Sequence, residues 1–265
     1  MAAPLTSDDL RDRARGRLPR FIFDFIDGGA GDEIALHANR DAFRALRLLP
    51  RVLSLPEPPR LETHLLGETL PVPFGIAPMG LANLVHPGTD MALARASAVG
   101  GVPLGVSMMA SSSVGDFTAL AGQRIWLQLY TGMGAAVFDH LIDRAAAAGV
   151  TTLLFTVDAN YPGLRLRDRR NGFPSGLRRG STITQLLRHP AWTLATARAG
   201  APRPVNVERA LSGSDRPLAQ VLAMMARAPL HWGAFDQLRQ RWPGKLIVKG
   251  ILAPDDAVEA RERGA

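Results

Sequence analysis

Cysteine is absent from the 265 residues, which excludes disulfides, thiolate metal sites and a cysteine nucleophile and leaves the redox compartment open. Long apolar runs are missing as well. No run of uncharged apolar residues approaches the ~20 a membrane-spanning helix needs, and the N-terminal MAAPLTSDDLRDRARGRLPR lacks the apolar core of a secretory signal, so cytoplasmic residence is the expectation. Aromatic residues are scarce at 6%, and lysine occurs only at Lys245 and Lys249. The formal charge of +7 is therefore almost wholly arginine, a skew that composition bias explains as readily as an anionic partner does. Its local distribution says more. Between residues 165 and 203 the arginines are opposed only by Asp168, which predicts a cationic surface. What the chain has in plenty is apolar side chains, 46% of the total. That is enough for one substantial core or two modest ones, and it excludes a disordered chain.

Residues 8–50 read as helical, with Phe21, Phe25 and Ile26 at helical spacing, a glycine break at Gly28, Gly29 and Gly31, and a second helix from about 32 to 46. No strand precedes those glycines, so they are not a dinucleotide fingerprint. The proline-rich stretch 49–59 should be extended. From Pro73 onward, short apolar runs at 74–78, 102–107, 125–130, 152–158 and 246–250 alternate with helical segments at 89–99, 113–120 and 135–148. Such alternation indicates a parallel sheet covered on both faces. Each run ends in polar or special residues, as expected where strand C-termini form the working face of a barrel; a doubly wound sheet would gather its ligand residues at one crevice. The expected fold is α/β, an incomplete TIM (β/α)8 barrel of about five βα units behind an N-terminal helical segment. The domains are then 1–60 and 61–265, the latter carrying a long Arg/Pro-rich insertion at 159–230. That insertion holds a helix or two, at 181–187 and 218–225, with His189-Pro190 as a turn and His231 starting a helix.

Several motifs in order carry a resemblance: LPRFIFDFIDGGAGDE, NRDAF, PFGIAPMG, HPGTDMALARAS, SMMASSSV, WLQLY, FTVDANYPGLRLRDRRNGF and LIVKGI. Together they resemble the FMN-dependent α-hydroxy-acid oxidoreductases, the family of glycolate oxidase, lactate oxidase and the flavin L-lactate and mandelate dehydrogenases. The wording lies nearer the dehydrogenase branch than the plant oxidases. The resemblance implies oxidation of an L-2-hydroxy acid to a 2-oxo acid, with FMN as cofactor and oxygen, a quinone or a cytochrome as acceptor. It also implies a homo-oligomer when complete.

Carried over position by position, Ala77, Pro78 and Met79 form the first-strand turn whose backbone lies against the flavin near N5. Ser107, Gln128 and Thr156 are the polar groups that satisfy the ring edge without adding charge. Lys249 stands beside N1 and O2, where a fixed cation stabilises the reduced ring. Tyr130 donates to the substrate oxygen, Arg165 grips its carboxylate through a planar guanidinium, and Asp158 belongs to the same network. Taken singly, each residue has a plain alternative: a strand-end turn, a satisfied local hydroxyl, a core aromatic at the rim, a solvated arginine, an exposed carboxylate.

Three departures stand out. Phe25 occupies the place of a substrate-binding tyrosine, and Met109 that of a pocket tryptophan. The family's base, a histidine in a His-Gly-Gly-Arg-like motif, would follow Ala265, as would the strands of the phosphate site. The resemblance therefore implies that the 265 residues alone turn over little substrate, and none of the six histidines takes the base's place or shows metal-site spacing. The rival expectations are another FMN barrel of the isopentenyl-diphosphate isomerase type, a degenerate flavin binder, or a cationic surface binder. Nucleic acid is not an expected partner. Peripheral contact with the inner face of a membrane through 165–203 is compatible with the enzyme reading.

Overall fold

The computed structural model describes residues 3–53, 58–130, 134–159, 163–174, 176–211, 220–221 and 230–265. They fall into two compact units: Met1–Arg60 with Gly163–Ala199, and Leu61–Pro162 with Gly200–Ala265. The stretch 159–230 is thus divided, 163–199 clustering with the N-terminal segment and 200 onward with the sheet.

The sheet unit begins with a hairpin, β1 (Thr63–Leu65) and β2 (Glu68–Leu70). Its two turn residues, Leu66 and Gly67, both have positive φ, the conformation that lets a two-residue turn follow the twist of its strands. Five parallel strands follow: β3 (Ile76–Met79), β4 (Leu104–Ser107), β5 (Ile125–Leu129), β6 (Thr152–Thr156) and β7 (Lys245–Lys249). They pair in the order β3-β4-β5-β6-β7. Sequential order with no reversal has no topological switch point, so this is an arc of a (β/α) barrel and not a doubly wound sheet.

The five strands present two chemically distinct faces. Leu104, Val106, Ile125, Leu127, Leu129, Leu153, Phe155 and Leu246 join one buried cluster with Phe117, Leu141, Ile142, Phe235 and Leu238 from the crossover helices. Fully burying a side chain of this size contributes about 1.5–3 kcal/mol, so this face supplies most of the unit's stability. Because strand side chains alternate, Gly105, Ser107, Trp126, Gln128, Leu154, Thr156 and Lys249 belong to the opposite face. Close approach of β3 and β4 depends on Gly105, where a Cβ would lie 2.6 Å from Pro78 Cδ. The hairpin is tied to the N-terminal end of β7 through Lys245 Nζ and Glu68 Oε1, 2.6 Å apart.

The helical unit contains Ser7–Arg17, Arg20–Asp27, Ile34–Ala45, Leu166–Asn171, Arg179–Arg188 and Pro190–Ala199. Thr6 and Asp9 form a capping box at the first helix, satisfying two of the amides that a helix start leaves open. Phe21 packs against Phe173 and, edge-on, against Trp192. Asp27 and Glu33 converge on Arg167, and Arg11 closes on Asp27 from the first helix.

The insertion is more helical than its proline and arginine content suggests. Leu166–Asn171, Pro190–Ala199 and Val205–Ala210 are helices the sequence did not announce. His189-Pro190 is no turn: His189 ends one helix, and Pro190 opens the next, where its missing N–H costs nothing. Nor is the arginine run uniformly a solvated surface, since Arg165 and Arg167 are paired with Asp168, Asp27 and Glu33. Strand limits also move, β3 starting at Ile76 instead of 74. The helix expected at 218–225 and part of the extended stretch 49–59 lie outside the described residues.

Candidate active site

Four of the sequence-selected side chains are brought together by strand register alone. Ser107 is aligned with Gln128 across β4 and β5, and Thr156 with Lys249 across β6 and β7. Gln128 Nε2 donates to Thr156 Oγ1 at 2.7 Å. The Ser107 hydroxyl accepts the Met109 amide at 3.1 Å, while its own proton remains available to an acceptor. All three are buried, and all lie at the C-terminal ends of their strands, where such barrels place their chemistry.

Tyr130 directly follows β5 and is packed against the buried cluster. Burial, and secondarily the charge of Asp158, pushes its phenol pKa above the ordinary value, so at neutral pH it is a hydrogen-bond donor. Asp158 follows β6 and lies 3.3 Å from Lys249 Nζ. Both side chains are about half exposed, 46% and 40%, so the lysine is held by a partner instead of being sequestered. Gly250 makes this possible: its φ is +106°, and a Cβ there would stand 2.6 Å from the Asp158 side chain. Any larger residue would push the carboxylate away from the lysine.

The turn Ala77-Pro78-Met79 ends β3, with Met79 exposed. On the hairpin side of the same face is a trough of about 510 Å³, walled by Thr63, Leu65 and Leu70 together with Pro78, Trp126 and Lys249; Ser107, Gln128 and Thr156 do not line it. The chemistry of the rim residues, distinct from the trough, suits a flat ring with an apolar face and a polar edge. Pro78 and Gly105 thin the backbone wall, Ser107, Gln128 and Thr156 offer neutral donors and acceptors, and Lys249 offers one cation.

Arg165 and Phe25 belong to the helical unit and are held to each other. Arg165 Nε donates to Asp168 Oδ2 at 2.5 Å, an Nη2 proton goes to the Phe25 carbonyl, and the guanidinium carbon lies 5.4 Å from the centroid of the Phe25 ring. These contacts use Nε and one Nη2 proton of the guanidinium. Phe25 also packs on Phe173, centroids 5.0 Å apart, so its ring is held in place against the arginine.

None of the six histidines ends a strand of the parallel sheet. His64 is in β1, His140 in the helix Ala135–Ala147, His231 caps a helix, and His86 bonds the Pro87 carbonyl. His37 and His189 lie in the helical unit. Among the described residues no three His, Asp or Glu side chains could hold a metal ion. One buried acid escaped the sequence reading: Asp90, in the first turn of Thr89–Gly100, lies near Ser111 and Ser112, with its Oδ2 buried and without a hydrogen-bond partner among the described residues. Burial raises its pKa. Its signal was a carboxylate inside an otherwise apolar helical repeat.

Comparison with known proteins gives a consistent picture. The family described as FMN-dependent dehydrogenase matches residues 14–265. An L-lactate dehydrogenase of Pseudomonas syringae pv. syringae (strain B728a) is 35% identical over 264 residues, covering 98% of this chain and 69% of that protein. Among solved structures, the monotopic membrane protein (S)-mandelate dehydrogenase superposes with a TM-score of 0.92 at 31% identity, over 100% of this chain and 71% of its own. A mandelate oxidase carrying a C4a-OH-FMN adduct superposes with a TM-score of 0.74 at 30% identity, over 97% and 65%.

Proposed function

The chain belongs to the FMN-dependent dehydrogenase family, and from that premise we propose how its residues divide the work of oxidising an L-2-hydroxy acid to a 2-oxo acid. FMN-dependent oxidation of a 2-hydroxy acid is its chemistry. The observation that carries the assignment of roles is the common face: Ser107, Gln128, Thr156 and Lys249 meet at one rim by strand register, with Tyr130 and Asp158 one step beyond.

When bound, FMN supplies the two-electron acceptor for hydrogen at the substrate's α-carbon. Ser107, Gln128 and Thr156 would hold the ring's polar edge, Ala77, Pro78 and Met79 would form its wall, and Lys249 would offer its ammonium where reduction leaves negative charge. Tyr130, kept protonated, donates to the substrate's hydroxyl oxygen and fixes its orientation. Arg165 directs its guanidinium to the carboxylate, braced by Asp168 and Phe25. Taking up the hydroxyl proton is not assigned to any of these groups, and slow turnover is what this set of residues by itself predicts. Anaerobic mixing with FMN and L-lactate, L-mandelate or glycolate should leave the flavin absorbance nearly unchanged over minutes. Rapid bleaching would overturn the slow-turnover reading. No quenching of FMN fluorescence at all would overturn the binding assignment.

Among the described residues no helix is long and apolar enough to cross a membrane. Peripheral contact has separate support in the insertion. Ile183, Leu187 and Leu194 are exposed on helices that also carry Arg179, Arg188 and Arg198, a pattern suited to lying in an anionic interface. Sedimentation with anionic but not zwitterionic vesicles, weakened by salt, is expected; equal binding to neither removes this part.

A further inference from the structure

Asn206 lies in the insertion, in the short helix Val205–Ala210, and its side chain is fully buried. It is not among the rim residues. Its amide reaches 92 residues back along the chain, to the segment that leads from β4 into the helix Val114–Ala121. Oδ1 accepts the Val114 amide at 3.1 Å, and Nδ2 donates to the Ser112 carbonyl at 3.0 Å. One side chain thus satisfies a backbone carbonyl and the N–H two residues on. Val114 opens its helix, so its N–H has no partner within that helix. Val114 is also buried, at 1% exposed, where an unmet N–H is costly.

The other half of the same loop, 108–113, is fixed to the rim. Met109 N donates to Ser107 Oγ at 3.1 Å and Ala110 N to the Ser107 carbonyl at 2.9 Å. The Met109 carbonyl accepts Leu81 N at 2.9 Å, just past the turn Ala77-Pro78-Met79. One end of the loop is therefore tied to the residues that meet the ring, and the other to Asn206.

We propose that Asn206 is a positioning residue for the flavin site: it holds the β4 loop so that Met109 N stays on Ser107 Oγ and the hydroxyl proton is turned to the ring. Released at Ser112 and Val114, the loop lets Met109 withdraw, and the hydroxyl then rotates freely instead of offering one direction. The proposal rests on the assignment of Ser107 to the flavin and is tested separately from it.

The test is a double-mutant cycle on FMN affinity, read by fluorescence quenching in the 265-residue chain. Ser107→Ala should weaken binding about tenfold and Asn206→Ala about three- to tenfold, the worth of roughly one hydrogen bond each. Because Asn206 acts through Ser107, the double variant should bind within about twofold of Ser107→Ala alone. If Ser107→Ala binds like wild type, the Ser107 assignment falls and takes the proposal with it. If Ser107→Ala binds weakly but Asn206→Ala does not, or the two losses multiply in full, the proposal is overturned and the Ser107 assignment stands. Val207→Ala separates the amide from the helix that bears it. Val207 is 0% exposed, so this variant should unfold at lower urea yet bind FMN within about twofold of wild type; a loss equal to that of Asn206→Ala would overturn the proposal. Should Asn206→Ala not fold, hydrogen exchange of the wild type decides. Saturating FMN should slow the Val114 amide about threefold or more and leave the Leu18 amide of the helical unit unchanged. FMN that binds without slowing Val114 would overturn the proposal.

Discussion

The two units are held together by different physics. In the sheet unit, Leu104, Ile125, Leu127, Leu129, Leu153 and Phe155 are each at most 1% exposed. In the helical unit, the buried apolar residues are Leu18, Phe21, Ile22, Phe23 and Trp192, while Ile34, Phe43, Leu48, Leu49 and Leu53 lie open, Phe43 at 80%. What the helical unit has instead is a network of charge, with Arg11 and Arg167 around Asp27 and Glu33. Packing is indifferent to protons and charge pairs are not. One unit should answer to side-chain volume, the other to pH.

The comparison is broken most forcefully from the packed side. Phe155→Ala, which empties a site between Phe138 and Phe235, should cost about 3–5 kcal/mol in urea unfolding, independent of pH between 5 and 8. A loss below 1 kcal/mol would show that the sheet does not rest on this layer. Next comes Gly250→Val, which combines positive φ with a collision at Asp158; about 1–3 kcal/mol is expected, together with weaker quenching of FMN fluorescence.

In the helical unit, Arg167→Ala should cost about 2 kcal/mol at pH 7. Arg167 holds the Asp27 and Glu33 pKa values below their ordinary range, by hydrogen bonding foremost, with Arg11 the larger influence on Asp27. A depressed carboxylate contributes stability that is complete above its unfolded pKa, about 4, and is lost as pH falls through the folded value. The gap between wild type and variant should therefore be full at pH 7 and close in acid; a gap that persists at pH 2 would assign it to lost packing. The smallest effect belongs to Phe43→Ser, within about 0.5 kcal/mol. A larger loss would mean that this exposed ring has a partner.

The parts legible in the sequence follow the same division. Each of the five parallel strands was marked by a continuous apolar run and the rim by a polar or special terminus; β4 and β6 are buried on both faces, whereas β3 and β7 are only partly covered. Ser107, Gln128, Thr156 and Lys249 could thus be placed at strand ends on one rim, while their roles came from the family resemblance. The hairpin escaped notice because its turn is Leu66-Gly67, and leucine is an unusual residue at positive φ. The helices of the insertion escaped because Pro190 reads as a breaker when seen without its position at a helix start. Nor could composition reveal that Arg165 and Arg167 are spoken for: their partners Asp27 and Glu33, and the Phe25 carbonyl, lie more than a hundred residues away in the chain. Local pattern reports what a residue prefers, whereas pairing across the chain decides what it does.

Sequential strand order has an evolutionary corollary. Because Ser107, Gln128, Thr156 and Lys249 hang from different strands, each followed by its own connecting segment, one of the proposed contacts can be rewritten on its own strand and segment while its neighbours stay in register. A scaffold of this kind can drift from one hydroxy acid to another in single, separately survivable steps.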